Sequence, residues 1–110
     1  MRIPNADRAI IAPEKLRDYL LNPSHRRGGG KARLLISLGY QRDGWALLER
    51  DLRSQHLSAD MHVESMNEYG RRFEILAPIR TPSGKTLVVR SVWQIDRGSQ
   101  NPRFITLYPG

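Results

Sequence analysis

Hydrophobic positions recur every three to four residues in the first half of this chain and every second residue in the second half. The periodicity therefore predicts helices followed by strands. The apolar run at 9–12 reads as a short extended entry. Pro13 suits the first position of a helix, and Leu16, Tyr19 and Leu20 predict a short amphipathic helix over residues 13–21, ended by Asn22-Pro23. Lys31 opens a second helix with Leu34, Leu35 and Leu38 on its buried side and Gly39 as its stop. Asp43 caps a third, striped by Trp45, Leu48 and Leu52. Glu49 and Arg53 pair across one turn of it, and His56 lies near its C-terminus, where a cation is favoured.

After Ser58 the period becomes two. Met61, Val63 and Ser65 alternate with His62, Glu64 and Met66, and Tyr69-Gly70 marks a turn. Phe73, Ile75, Ala77 and Ile79 form one face of a second strand, and Thr81-Pro82-Ser83-Gly84 is the next turn. Leu87, Val89, Ser91, Trp93 and Ile95 share a face of a third strand over 85–96. A loop at 97–102 leads to a last strand over 104–108. Short connections favour a meander. The predicted fold class is α+β: about three N-terminal helices packed on one face of a four-stranded antiparallel β-meander, as a single domain over residues 1–110. The other sheet face is left free for work.

Charge narrows the function classes. There are 18 Lys plus Arg against 11 Asp plus Glu, a formal +7, and 15 of the cations are Arg. The planar Arg fork grips phosphate at two points and stacks on bases, so an anionic partner is indicated, nucleic acid first. A bacterial preference for Arg over Lys produces the same bias without a partner. The absence of cysteine excludes disulfides, thiolate zinc sites and thiol nucleophiles. No apolar run approaches the roughly 18 residues of a membrane span. The first residues, Met1 to Asn5, lack the apolar core of a secretory signal. The expectation is a cytoplasmic protein, or one delivered into a target-cell cytoplasm, with no membrane partner.

Candidate chemistry gathers in two places. Gly28-Gly29-Gly30-Lys31 precedes a helix, as in phosphate-binding loops. The nucleotide-binding pattern G-x-x-x-x-G-K-[ST] fails at His25 and at Ala32, so the loop reads either as a phosphate contact or as a flexible connector. His25 stands among Arg26, Arg27 and Lys31, cationic company that favours its neutral form as a base; a lone loop histidine is also commonly only a surface residue. Arg72, Arg80 and Arg90 lie on predicted strands, with Arg90 turned to the wet face. They contact phosphate or simply guard the sheet surface. Trp93 falls on the buried face as core or stacking platform, and Thr106 and Tyr108 share a face of the last strand. His56, His62 and Glu64 lack metal-ligand spacing, so no metal and no cofactor are expected.

The segments Lys15-Leu16-x-x-Tyr19-Leu20-Leu21-Asn22, Gly30-Lys31-Ala32, Arg90-Ser91-Val92-Trp93 and Phe104-Ile105-Thr106-x-Tyr108-Pro109 resemble a small bacterial domain family found in toxin-like gene contexts, beside antitoxin or immunity genes. More remotely, the plan is similar to the barnase–EndoU–colicin–RelE group of metal-independent ribonucleases, which cut RNA on the open sheet face. Colicin D-type members carry a Lys and a His near a helix before the sheet and a Ser-x-Trp on a strand. Lys31 and His25 match the first, with His25 displaced across the glycine loop, and Ser91-Val92-Trp93 matches the second.

The resemblance implies a toxin-like endoribonuclease acting on tRNA or another structured RNA through 2′-hydroxyl attack. His25 would serve as base or acid, Lys31 and Arg90 would stabilise the phosphate, and Ser91 and Thr106 would position it. Arg26, Arg27, Arg72, Arg80, Trp93 and Tyr108 would bind RNA. The implied partners are RNA and an acidic antitoxin or immunity protein. A non-catalytic RNA- or ribosome-binding module is the alternative.

Overall fold

Strand pairing organises the molecule. In the computed structural model, which describes residues 1–110, four strands run β1 (Met61–Asn67), β2 (Gly70–Arg80), β3 (Thr86–Asp96) and β4 (Arg103–Pro109). Their order in the sheet is β1-β2-β3-β4, every pair antiparallel, which is the predicted meander. The register places Phe73 opposite Trp93, Ile75 opposite Ser91 and Ala77 opposite Val89. These residues form one buried face, because alternate side chains of a strand point to the same side. The β2–β3 turn closes through Thr81, whose amide and hydroxyl both bond the Lys85 carbonyl, and Gly84 supplies the positive φ of 89° that the turn needs.

Helices α1 (Gly29–Ser37) and α2 (Trp45–Asp51) and two π-wound segments, Lys15–Leu20 and Leu52–His56, cover that face. The first predicted helix is thus π-wound over most of its length. The i→i+5 bond from the Leu21 amide to the Leu16 carbonyl (2.8 Å) brings Leu21 over Leu16, so Leu16, Leu20 and Leu21 are all fully buried. Leu48, Leu52, Leu35 and Tyr40 complete the core above Phe73, Ile75, Ile79 and Trp93. Gly39, with φ 106°, ends the second helix as expected.

Four local expectations are corrected. No side chain caps α2, because the residue before it is Gly44 rather than Asp43. His56 is not an exposed helix-end cation but is wholly buried beneath the helices. The 22–29 loop is not a flexible connector: the Asn22 side chain accepts the Ser24 amide, its carbonyl accepts the His25 amide, and successive turns run into α1. Finally, β1 buries neither face. Only Met61, at its start, packs against the core, and Val63 and Met66 stay exposed. The extended entry at 9–12 is present. Ile10 bridges β4 in parallel, accepting the Phe104 amide and donating to the Pro102 carbonyl, both at 2.8 Å, and so covers the outer edge of β4.

Candidate active site

The two ends of the chain meet where the π-wound segment Lys15–Leu20 crosses β4. Thr106 pairs with Val92 and Tyr108 with Arg90, so these four side chains share the sheet face opposite the core. A one-residue irregularity between Val92 and Trp93 keeps Phe104 on the buried side while turning Thr106 outward. Tyr19 reaches Thr106 from the first helical segment, and Lys31 reaches it from α1.

Three polar atoms form a closed triangle there. The Lys31 ammonium donates to the Tyr19 hydroxyl at 2.8 Å and to Thr106 Oγ1 at 3.0 Å, and the two hydroxyls lie 2.9 Å apart. Two of the three ammonium protons are committed, leaving one for a ligand. The same ammonium lies 4.9 Å from the Tyr108 ring centroid and 5.3 Å from that of Tyr19. Burial opposes ionisation of the Tyr19 phenol. The hydrogen bonds from Lys31 and Thr106 and the charges of Lys31 and Lys15 outweigh it, and the Tyr19 pKa falls below the ordinary tyrosine value.

Lys15, Tyr19, His25, Arg27, Ile105 and Thr106 line a cleft of about 340 Å³ beside this triangle. No carboxylate lines it, and Lys15, Arg26, Arg27 and Lys31 have no ion-pair partner. Several acids are engaged elsewhere: Asp18 with Arg17 and Arg42, Glu64 with Arg71, Glu74 with Arg90, Asp96 with Arg103. The cleft is therefore a local excess of positive charge.

His25 belongs to the cleft in a different role from the one its neighbours in sequence suggest. Its Nδ1 accepts the backbone amides of Arg27 (3.0 Å) and Gly28 (2.9 Å), and its ring packs edge-on against Tyr19 at 4.8 Å. With Nδ1 occupied, the neutral ring carries its proton on Nε2, so His25 presents a donor and no free lone pair. The expected base function has no atom to perform it. Gly28 fits against the Tyr19 ring; a Cβ there would stand 2.6 Å from it, which accounts for part of the glycine run by packing.

The other sequence candidates divide. Arg90 lies on the Tyr108 face but is bound to Glu74 at 2.9 Å. Arg72 lies on the same face, opposite Gln94, with its Nε buried and unpartnered. Arg80 does not join them. It ends β2, eight residues from Arg72 and so about 26 Å away at ~3.3 Å per residue, and its backbone is bracketed by the Gln55 amide group. Arg26 is exposed on the loop before α1.

Ser91 and Trp93 are corrected outright as RNA contacts: both are 0 % exposed on the helix-covered face. His56 Nδ1 donates to the Ala77 carbonyl at 3.2 Å, Ser91 donates to His56 Nε2 at 2.6 Å, and Trp93 Nε1 donates to Ser91 Oγ at 2.8 Å. The carbonyl accepts only, which sets the direction of this chain. No three His, Cys, Asp or Glu side chains converge as metal ligands. Sequence reasoning missed Tyr19 and Lys15, which looked like ordinary members of an amphipathic helix.

A family model described as a domain of unknown function (DUF6883) matches residues 2–110. None of the curated proteins matches the sequence. Among solved structures, a chain from the contact-dependent growth inhibition toxin–immunity protein complex of Klebsiella pneumoniae 342 is similar. Its TM-score is 0.68 at 18% identity, covering 92% of this chain and 99% of that one. At that identity the likeness is one of fold.

Proposed function

The chain belongs to the DUF6883 domain family, and we propose that it is a metal-independent endoribonuclease acting in a toxin–immunity system. One observation carries the reading. A lysine ammonium is held between two hydroxyls at a cleft that holds Lys15, His25 and Arg27 and no carboxylate. Such a site favours a bound phosphodiester, and favours more strongly the extra negative charge that builds on phosphorus during attack.

In an RNA substrate the nucleophile is internal: the 2′-oxygen attacks its own phosphorus and expels the 5′-oxygen. The third Lys31 proton, the His25 Nε2–H and the Arg27 fork are the donors for the non-bridging oxygens. Thr106 and Tyr108 orient Lys31. Arg90, committed to Glu74, supports Tyr108 from the neighbouring strand. The toxin–immunity setting is supported by the sequence resemblance and by the complex from which the structural neighbour comes. An acidic immunity protein would suit the same cationic cleft.

Purified protein incubated with total RNA in EDTA is expected to release fragments with 2′,3′-cyclic phosphate and 5′-hydroxyl ends. Lys31→Ala should slow the reaction by about 100-fold or more. Intact RNA under both metal-free and metal-supplemented conditions would reject catalysis. Salt-sensitive binding without cleavage would leave a non-catalytic RNA-binding module in its place.

A further inference from the structure

We propose that Tyr19 is the proton donor of the cleft, delivering its phenolic hydrogen to the leaving 5′-oxygen while Lys31 and Thr106 hold the phenolate that remains. The inference rests on the cleft being an RNA-cleaving site and supplies the acid that this chemistry needs.

The geometry is specific about the phenol. An ammonium can only donate, so the Tyr19 oxygen accepts from Lys31 and keeps its own hydrogen for another group. That hydrogen points either to Thr106 Oγ1 at 2.9 Å or into the cleft that Tyr19 lines. When it leaves, the Thr106 hydroxyl can turn from its long contact with the Leu107 carbonyl (3.5 Å) and donate to the phenolate. The phenolate then has two donors, a cation at 2.8 Å and no lining carboxylate to compete. The depressed Tyr19 pKa agrees with this arrangement. His25 is poorly placed for the task, because releasing its Nε2 proton would leave an imidazolate, and protonating Nδ1 would turn that atom against two backbone amides.

The step balances. The 2′-oxygen forms a bond to phosphorus and loses its proton to water. The bond from phosphorus to the 5′-oxygen breaks, its electron pair stays on that oxygen, and the Tyr19 proton joins it. Products are a 2′,3′-cyclic phosphate and a 5′-hydroxyl, and the phenolate recovers a proton from water.

A proton donor matters only when the leaving group is a poor one, and this separates Tyr19's role from simple support. Tyr19→Phe is compared with wild type on an oligoribonucleotide and on a nucleoside 3′-(4-nitrophenyl phosphate), whose leaving group departs without a proton. The expected result is a loss of about 100-fold or more on the oligoribonucleotide and less than about fivefold on the nitrophenyl ester. Equal losses on both substrates, or no loss on the oligoribonucleotide, overturn the assignment. Wild type inert on both substrates overturns the reading of the cleft, and this inference with it. Site-specific 3-fluorotyrosine at position 19 keeps the ring and its packing should Tyr19→Phe fold poorly. The alkaline limb of the rate profile then moves to lower pH, and a stationary limb overturns the proposal.

Discussion

Ser91 illustrates how a residue can be rightly noticed and wrongly employed. The Ser91-Val92-Trp93 triplet lies on the predicted buried strand face, yet its hydroxyl serves the core by donating to His56 and accepting from Trp93. Ser91→Ala strands both buried nitrogens and is expected to cost about 2–3 kcal/mol. This is measurable as a lower urea midpoint, with RNA cleavage per folded molecule unchanged. A fall in cleavage at full stability would contradict it. Gly28 makes the complementary case. Gly28→Ala puts a Cβ 2.6 Å from the Tyr19 ring, while Gly30→Ala meets only the Arg33 guanidinium, at 3.9 Å. Overpacking of this kind costs about 1–3 kcal/mol. The first variant should lose both stability and cleavage by displacing Tyr19, and the second should keep both. Side-by-side melting curves and rates decide it.

At the scale of elements, His56 clasps three pieces together: the π-wound segment Leu52–His56, β2 through Ala77 and β3 through Ser91. Burial lowers its pKa from 6.5 to about 4, with the bond to the Ala77 carbonyl opposing. The unfolded chain takes up this proton as pH falls through 6.5, and the native protein only near 4. Between those values the unfolded state binds more protons, so the stability present above pH 6.5 is lost as pH falls towards 4. At ~1.4 kcal/mol per unit the loss is about 3 kcal/mol. Urea titrations across that window test it; a flat profile in wild type would show that His56 is not held neutral in the core. The strand periodicity after Ser58 was legible because each strand of the sheet centre has one buried face. It misled at β1, where the alternating residues after Met61 are exposed on both faces.

For the whole molecule, the distribution of charge matters more than its sum. Of the formal +7, Lys15 and Arg27 in the cleft lining and Lys31 beside it, bonded to Tyr19 and Thr106, have no ion-pair partner, and no carboxylate lines the cleft. Replacing these three by Gln should flatten the dependence of log K for RNA on log salt by about 2–3. Arg80→Gln, at the remote end of β2, should change it far less. Filter binding over a salt series measures both, and equal effects would place the RNA elsewhere.

The sequence alone determined the order of elements and the meander, because periodicity and turn residues are local properties. It also determined the sign of the charge. Lys31, Thr106, His25 and Tyr108 stood among its candidates, and the fold brings Lys31 to Thr106 although they are 75 positions apart. What only the tertiary structure decided was which groups meet and which atoms stay free. Tyr19 enters the cleft because its π-wound segment crosses β4, where its hydroxyl meets Thr106. His25 is excluded as a base by two amides of its own loop, and Ser91 and Trp93 are taken by the core. None of these outcomes is encoded in spacing. Each depends on hydrogen bonds that form when the loop before α1 closes on Tyr19 and the helices close on the sheet.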